Sequence, residues 1–318
     1  MIELADVRRA AEVLRPHLRQ TPLRRSAVFP DAPVYLKLEC WQPTGSFKVR
    51  GATHLLASLT PEERTRGVVA ASAGNHALGV AFAAQALGGS VKVDLFVPTT
   101  APRAKLDKLW RFPVTVHEKG ATYDDAALEA VAFRERTGAT YVHPFDDPRT
   151  AAGQGTVGLE IALDLPEVDT VVVPVGGGGL IAGTAAALKA LVPGLRVVAV
   201  QPDASPALRE SLLLGRPLLT YPAGPTLADG LAGGIGEIVF AHRHLIDEVV
   251  TVSEEETADA VAALVAEDQV VSEASGAVGV AALRSGRIAP RDGRPIAVVI
   301  TGGNIDARVL ARLLARYA

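Results

Sequence analysis

Residues 170–188 read TVVVPVGGGGLIAGTAAAL, nineteen residues without a charge. A run of that length invites a membrane reading. Pro174 and the four consecutive glycines Gly176 to Gly179 argue against it, because they would break a spanning helix. The stretch divides instead into a strand, Val171 to Val175, a glycine loop, and a helix, Leu180 to Leu191. A short apolar strand that runs straight into a helix fits a parallel sheet covered on both faces.

The same alternation continues outward. Towards the C-terminus, Val197 to Val200 reads as a strand, Pro206 to Leu214 as a helix and Val249 to Val252 as a strand. Ser253 and Glu256 then form a capping box for the next helix. Residues 276–286 read as a helix, Ile296 to Ile300 as a strand and 305–317 as a helix. Between them, residues 221–236 are rich in Gly, Pro and Ala and predict a long ordered loop, a common place for function. Towards the N-terminus, Gly155 to Leu165 reads as a helix. Before it come strands at Val34 to Leu38, Val68 to Ala71, Val91 to Val97, Val114 to His117 and Tyr141 to Phe145. Helices are expected at 49–59, Ala77 to Leu87, 102–111 and 124–136. Ile2, Val7, Ala10, Ala11 and Leu14 recur at helical spacing, and no apolar signal core precedes them. Strands alternating with helices predict an α/β fold with open parallel sheets. At 318 residues the chain is expected to form about two domains.

Composition narrows the function. Hydrophobic residues make up 48% and charged residues 21%, ordinary for a globular protein with a real core. A net charge of −3 supplies no basic field, so no nucleic-acid partner is expected, and no membrane partner either. Cys40 is the one cysteine, which excludes an internal disulfide and cysteine-type zinc sites. A cytoplasmic location is the expectation. The 25 arginines against 7 lysines say little about function.

Ligands of an open parallel sheet sit at the carboxyl ends of its strands. Five segments fall there or beside it. Gly176 to Gly179 place successive backbone N–H groups at a helix start, which suits a phosphate. Gly177-Gly178-Gly179-Leu180-Ile181-Ala182 also fits the dinucleotide pattern GxGxxA, but the next strand ends at Gln201 instead of an acid. Ser72-Ala73-Gly74-Asn75-His76 can offer N–H groups to a carboxylate and the Asn75 amide to a phenolic oxygen. Thr301-Gly302-Gly303-Asn304 puts a hydroxyl at a strand end, where it can bond a ring nitrogen. In Ser272-Glu273-Ala274-Ser275-Gly276-Ala277, Glu273 either faces a ligand or complements the following helix dipole. Finally, PTGSFKVRGA (43–52) holds Lys48 in a glycine-bounded turn. A lysine kept from bulk water can lose its proton and become a nucleophile, here able to form a Schiff base with pyridoxal phosphate.

GSFKVRGA, SAGNH, HPFDDP (143–148), AGQGT (152–156), VGGGGL (175–180), ADGLA (228–232) and TGGN (301–304) occur in the order found in fold-type II pyridoxal phosphate enzymes. Over nearly its whole length the chain resembles the threonine/serine dehydratase (ammonia-lyase) family, the branch that also holds serine racemase. The resemblance implies a tryptophan synthase β-like fold with the cofactor, pyridoxal 5′-phosphate, in a cleft. Residues 1–48 plus 145–318 would form the large domain and 49–144 a smaller inserted one. Lys48 would carry the cofactor and act as the base, with Phe47 packed near the ring. Asn75 would bond the ring oxygen, Gly176, Gly177, Gly178 and Gly179 the phosphate, and Thr301 the pyridine nitrogen. Ser72, Gly74, Asn75 and His76 would surround the substrate carboxylate, with Glu273 beside cofactor or substrate.

The implied activity is dehydration and deamination of L-threonine and/or L-serine to 2-oxobutanoate or pyruvate and ammonia, by a homodimer or homotetramer. Another β-hydroxy amino acid, such as 3-hydroxyaspartate or a β-aryl serine, is an alternative substrate, and racemisation an alternative reaction. Readings from other classes are a nicotinamide-dependent oxidoreductase and a phosphate-binding protein without catalysis. Departures from the family pattern sharpen the expectation. Ala73 stands where racemases have a second serine, which favours dehydration. After Val197 to Val200 only Asp203 is acidic, so the divalent-metal site of some relatives is not expected. Ala274 follows Glu273 where relatives usually have proline. With the chain ending at 318, a regulatory C-terminal domain and feedback inhibition by isoleucine are not expected.

Overall fold

The computed structural model describes residues 1–101 and 103–317. The chain opens with α1 (Leu4–Leu14), β1 (Leu23–Arg25), β2 (Val34–Lys37), α2 (Lys48–Ala57), α3 (Pro61–Arg66) and β3 (Val68–Ala71). It continues with α4 (Asn75–Ala86), β4 (Val93–Val97), α5 (Arg103–Leu109), β5 (Thr115–Glu118), α6 (Tyr123–Thr137) and β6 (Thr140–Tyr141). Next come α7 (Pro148–Asp164), β7 (Thr170–Pro174), α8 (Gly179–Leu191), β8 (Arg196–Pro202), α9 (Ala207–Leu214) and α10 (Glu237–Ala241). The last elements are β9 (Glu248–Val252), α11 (Glu254–Ala266), α12 (Ala274–Arg284), β10 (Ile296–Val299) and α13 (Ala307–Tyr317).

Among the described residues these strands form two sheets, a six-stranded one ordered β1-β2-β10-β7-β8-β9 and a four-stranded one ordered β5-β4-β3-β6. Alternation along the central strands of the larger sheet explains its double cover. Val172, Val198, Ile296 and Val298 point into one core with α11 and α12. Val171, Val173, Val197, Ala199, Ala297 and Val299 point into the other, with α7 and α8. Burying each such valine contributes ~1.5–3 kcal/mol. The uncharged run at 170–188 is thus β7, its loop and the start of α8. Among the described residues no helix is long and apolar enough to cross a membrane.

Several expectations are corrected. The open parallel sheets stand as expected, but an unanticipated edge strand, β1, pairs antiparallel with β2. Three residues, LRR, are too few to show a strand period. The strand expected at Tyr141 to Phe145 is only Thr140–Tyr141, and the rest turns into the segment that leads to α7. The helix expected from Gly155 starts at Pro148, where Asp147 caps it by accepting from the N–H groups of Arg149 and Thr150. The small residues of AAGQG do not break it. They let helices approach closely: a Cβ on Gly155 would lie 2.7 Å from the Gly183 carbonyl carbon of α8, and one on Gly153 would lie 2.8 Å from the Arg50 carbonyl oxygen of α2. The short helices α3 and α10 were not anticipated. Pro102, expected to open the helix 102–111, lies outside the described residues.

Candidate active site

Lys48 is the first residue of α2. The turn before it is clasped by the segment after β10. The Phe47 N–H donates to the Thr301 carbonyl at 3.1 Å, the Gly303 N–H to the Gly45 carbonyl at 2.9 Å, and Ser46 bridges to Gly302. Gly45 has φ +73°, and a Cβ there would lie 2.9 Å from the Asn304 amide, so this turn requires glycine. On its other side α2 packs against α4 at Gly79, where a Cβ would come within 3.1 Å of the Lys48 carbonyl.

The Lys48 amine donates to the Pro144 carbonyl at 2.9 Å and lies 5.1 Å from the centre of the Phe47 ring and 5.9 Å from that of Phe145. Among the described residues no carboxylate comes within ion-pair distance of it. Burial pushes its pKa down to about 8, and the more distant charge of Glu273 opposes the shift. Its place at the positive end of α2 also disfavours the ammonium form. The result is a lysine of which about a tenth is neutral at pH 7, far more than for an ordinary lysine.

The glycine run ends β7 and opens α8. The N–H groups of Gly176, Gly177, Gly178 and Gly179 have no acceptor within the described chain. Side chains are excluded here by packing. A Cβ on Gly177 would lie 2.2 Å from the Phe145 ring, and one on Gly178, at φ +90°, would lie 2.4 Å from Val239. One on Gly179 would lie 2.6 Å from the Phe145 carbonyl. Four unpaired donors at the start of a 13-residue helix suit a phosphate. Phe145 stands against this loop while its ring also flanks the Lys48 amine, so the glycines and the lysine share one site.

The remaining expected residues divide into two groups. Thr301 is buried, and its hydroxyl donates to the Ser275 carbonyl at 3.4 Å. Asn75 Nδ2 donates to Glu273 Oε1 at 2.7 Å, which joins the helix start of α4 to that of α12. Burial and the nearby Asp229 push the Glu273 carboxyl up to about 7. The Ser72 hydroxyl accepts from the Gly74 N–H at 3.1 Å, and a Cβ on Gly74 would meet nothing within 4 Å, so this loop borders open space. The His76 ring is engaged away from this loop. Its Nε2 lies 2.7 Å from the Val142 carbonyl, which can only accept, so Nε2 carries the proton. Burial pushes its pKa down to about 3, and Nδ1 is left without a partner. A neutral ring engaged in this way does not pair with a carboxylate. The free N–H groups of Asn75 and His76 at the start of α4 can.

Sequence reasoning missed three participants. The Pro144 carbonyl accepts from both Lys48 and Gln154. Gln154 sits within AGQGT, yet its role depends on α7 reaching back to Pro144. Asn304, within TGGN, donates from Nδ2 to the Thr44 carbonyl and to Asn75 Oδ1. Among the described residues no group of three or more His, Cys, Asp or Glu could hold a metal ion.

The model of the family described as "Pyridoxal-phosphate dependent enzyme" matches residues 14–302. The chain belongs to this family. It is 45% identical to the L-threonine ammonia-lyase of Thermotoga maritima, over 99% of this chain and 78% of that protein. The structure of the processed form of threonine deaminase isoform 2 from Solanum lycopersicum superimposes with a TM-score of 0.91 at 33% identity, covering 98% of this chain and 91% of the other. Maize serine racemase superimposes with a TM-score of 0.91 at 31% identity, covering 99% and 98%. As a family member the chain is a pyridoxal phosphate enzyme with the α/β fold of these neighbours. The site fits that cofactor: a partly neutral lysine for its aldehyde, unpaired N–H groups for its phosphate and a buried hydroxyl for its ring nitrogen.

Proposed function

We propose that the chain dehydrates and deaminates L-threonine and/or L-serine, releasing 2-oxobutanoate or pyruvate and ammonia. The observation that carries this reading is the half-buried Lys48, which among the described residues has no ion-pair partner and shares the Phe145 ring with four glycine N–H groups unpaired among those residues. The names of the relatives, L-threonine ammonia-lyase and threonine deaminase, support the choice of substrate.

In this reading Lys48 holds the cofactor, Gly176 to Gly179 its phosphate, Asn75 its ring oxygen and Thr301 its ring nitrogen, with Phe47 beside the ring. Bound pyridoxal phosphate supplies an electron sink for charge that develops at Cα of the substrate. The N–H groups of the Ser72–His76 loop hold the substrate carboxylate, with Glu273 beside it. The freed Lys48 amine takes the Cα proton, a role that its lowered pKa suits near neutral pH. Ala73 offers no second proton carrier on the opposite face, which favours elimination. Racemisation is the second reading, and the likeness to maize serine racemase favours it. We place the boundary between the two lobes near Lys48 and Phe145, so that the cofactor lies between the two sheets. A homodimer or homotetramer completes the proposal. It accords with exposed apolar side chains such as Leu163 and Leu213 and is read by light scattering.

A panel of β-hydroxy amino acids, assayed for ammonia and keto acid, tests the reaction. Threonine or serine is expected to give both products. Activity confined to 3-hydroxyaspartate or a β-aryl serine, or racemisation without ammonia release, would replace the reading.

A further inference from the structure

Lys108, Asn304, Asn75 and Glu273 form one chain of hydrogen bonds, and its direction can be derived. Lys108 donates from Nζ to Asn304 Oδ1 at 3.1 Å. Asn304 Nδ2 donates to the Thr44 carbonyl at 2.8 Å and to Asn75 Oδ1 at 2.7 Å. An ammonium can only donate and a backbone carbonyl can only accept, so the orientation of the Asn304 amide is fixed at both ends. Both of its N–H groups are then used. The Asn75 atom that faces Asn304 Nδ2 must therefore be the oxygen, and Nδ2 of Asn75 faces Glu273 Oε1 at 2.7 Å. A reversed Asn75 would set N–H against N–H at Asn304 and, where Glu273 is ionised, oxygen against oxygen there. One N–H of Asn75 has no acceptor within the described chain. Gly45 makes room for this arrangement, since a Cβ there would strike the Asn304 amide.

We propose that Asn304 is a positioning residue: by holding Asn75 Oδ1 it locks that amide so that Asn75 meets the bound cofactor only as a hydrogen-bond donor. This rests on the reading above, in which Asn75 faces the ring oxygen of pyridoxal phosphate. A locked donor favours the ring oxygen in its proton-free form. A reversed Asn75 would offer its own oxygen, and the ring oxygen would keep its proton.

Asn304→Asp tests this at nearly constant shape. The new carboxylate cannot donate to Asn75; it accepts from its Nδ2 instead, and the oxygen of the reversed amide then meets the Glu273 carboxyl in its protonated form. The loaded variant is expected to lose at least about half of the visible absorbance of the cofactor in favour of near-ultraviolet absorbance at fixed pH. Its dissociation constant for pyridoxal phosphate is expected to rise about tenfold, the equivalent of one net hydrogen bond. Asn304→Ala, which frees the amide without reversing it, is expected to give an intermediate spectrum and serves if the aspartate variant fails to fold. Lys108→Ala leaves both Asn304 N–H bonds in place and is expected to keep the native spectrum. In the double variant with Asn75→Ala, Asn304→Asp is expected to add no further loss of affinity. A native spectrum and affinity in folded Asn304→Asp and Asn304→Ala, or additive losses in the double variant, would overturn the proposal. A wild-type protein that takes up no cofactor would instead overturn the reading of the site.

Discussion

Two regions flank the first turn of α2 and treat buried charge in opposite ways. On one side, Arg50 is enclosed by carboxylates. Its guanidinium holds Glu39 through two bonds of 2.7 Å and Glu160 through bonds of 2.6 and 2.7 Å. Lys37 joins the group, 2.6 Å from Glu160. Glu39 is fully buried, and the cations around it hold its carboxyl below the usual range despite that burial. The outer side of this network borders a groove of about 810 Å³ between α1 and α7. Lys48, two residues before Arg50, donates to a backbone carbonyl beside two ring faces and forms no ion pair among the described residues. The difference teaches how the segment works: balanced charge fixes the start of α2 in place, and unbalanced charge two residues away leaves an amine ready to react.

The contrast can be broken at several points. The largest effect is expected at the reactive side. Lys48→Ala should lower the rate at least ~10³-fold, as for loss of a general base, while circular dichroism reports a native fold. On the balanced side, Glu39→Gln leaves the Arg50 charge partly unmatched in the interior. It should cost about 3–5 kcal/mol in urea unfolding, because a broken buried pair strands a charge. Lys48→Met, by contrast, should leave the stability of the cofactor-free protein unchanged or raised. Equal destabilisation by the two variants would remove the distinction. The smallest effect concerns pH. The Lys48 pKa is lowered, so its neutral, reactive form is half populated at about pH 8 and nearly complete about one unit above it. The initial rate of cofactor uptake by the cofactor-free protein should follow that rise. A rise that continues to pH 10, as for an ordinary lysine, would deny the shift.

Much of this was legible because the signals are local. The apolar strand, four glycines and small-residue helix of 170–188 carry their own reading, and Lys48 stands in a turn that only glycine permits. What escaped depends on contacts distant in sequence. Nothing near Lys48 names Pro144 as its acceptor, 96 residues away. Asn304 could be noticed in TGGN, but its orienting role arises only where Thr44, Asn75 and Lys108 meet it. The SAGNH motif sets His76 at the substrate loop but does not say where its ring points. That direction is set by the Val142 carbonyl, 66 residues later. The first half of α7 escaped for the opposite reason: its glycines serve packing between helices, whereas in sequence they look like a turn.

Of the seven lysines in the chain, Lys48 alone is expected to be the cofactor's anchor. Loading the protein with pyridoxal phosphate, reducing with borohydride and mapping the labelled peptides tests this most directly. The account predicts one label per chain, on Lys48, with Lys37 untouched behind its carboxylates. An unlabelled Lys48, or label spread over exposed lysines such as Lys92 and Lys105, would contradict it.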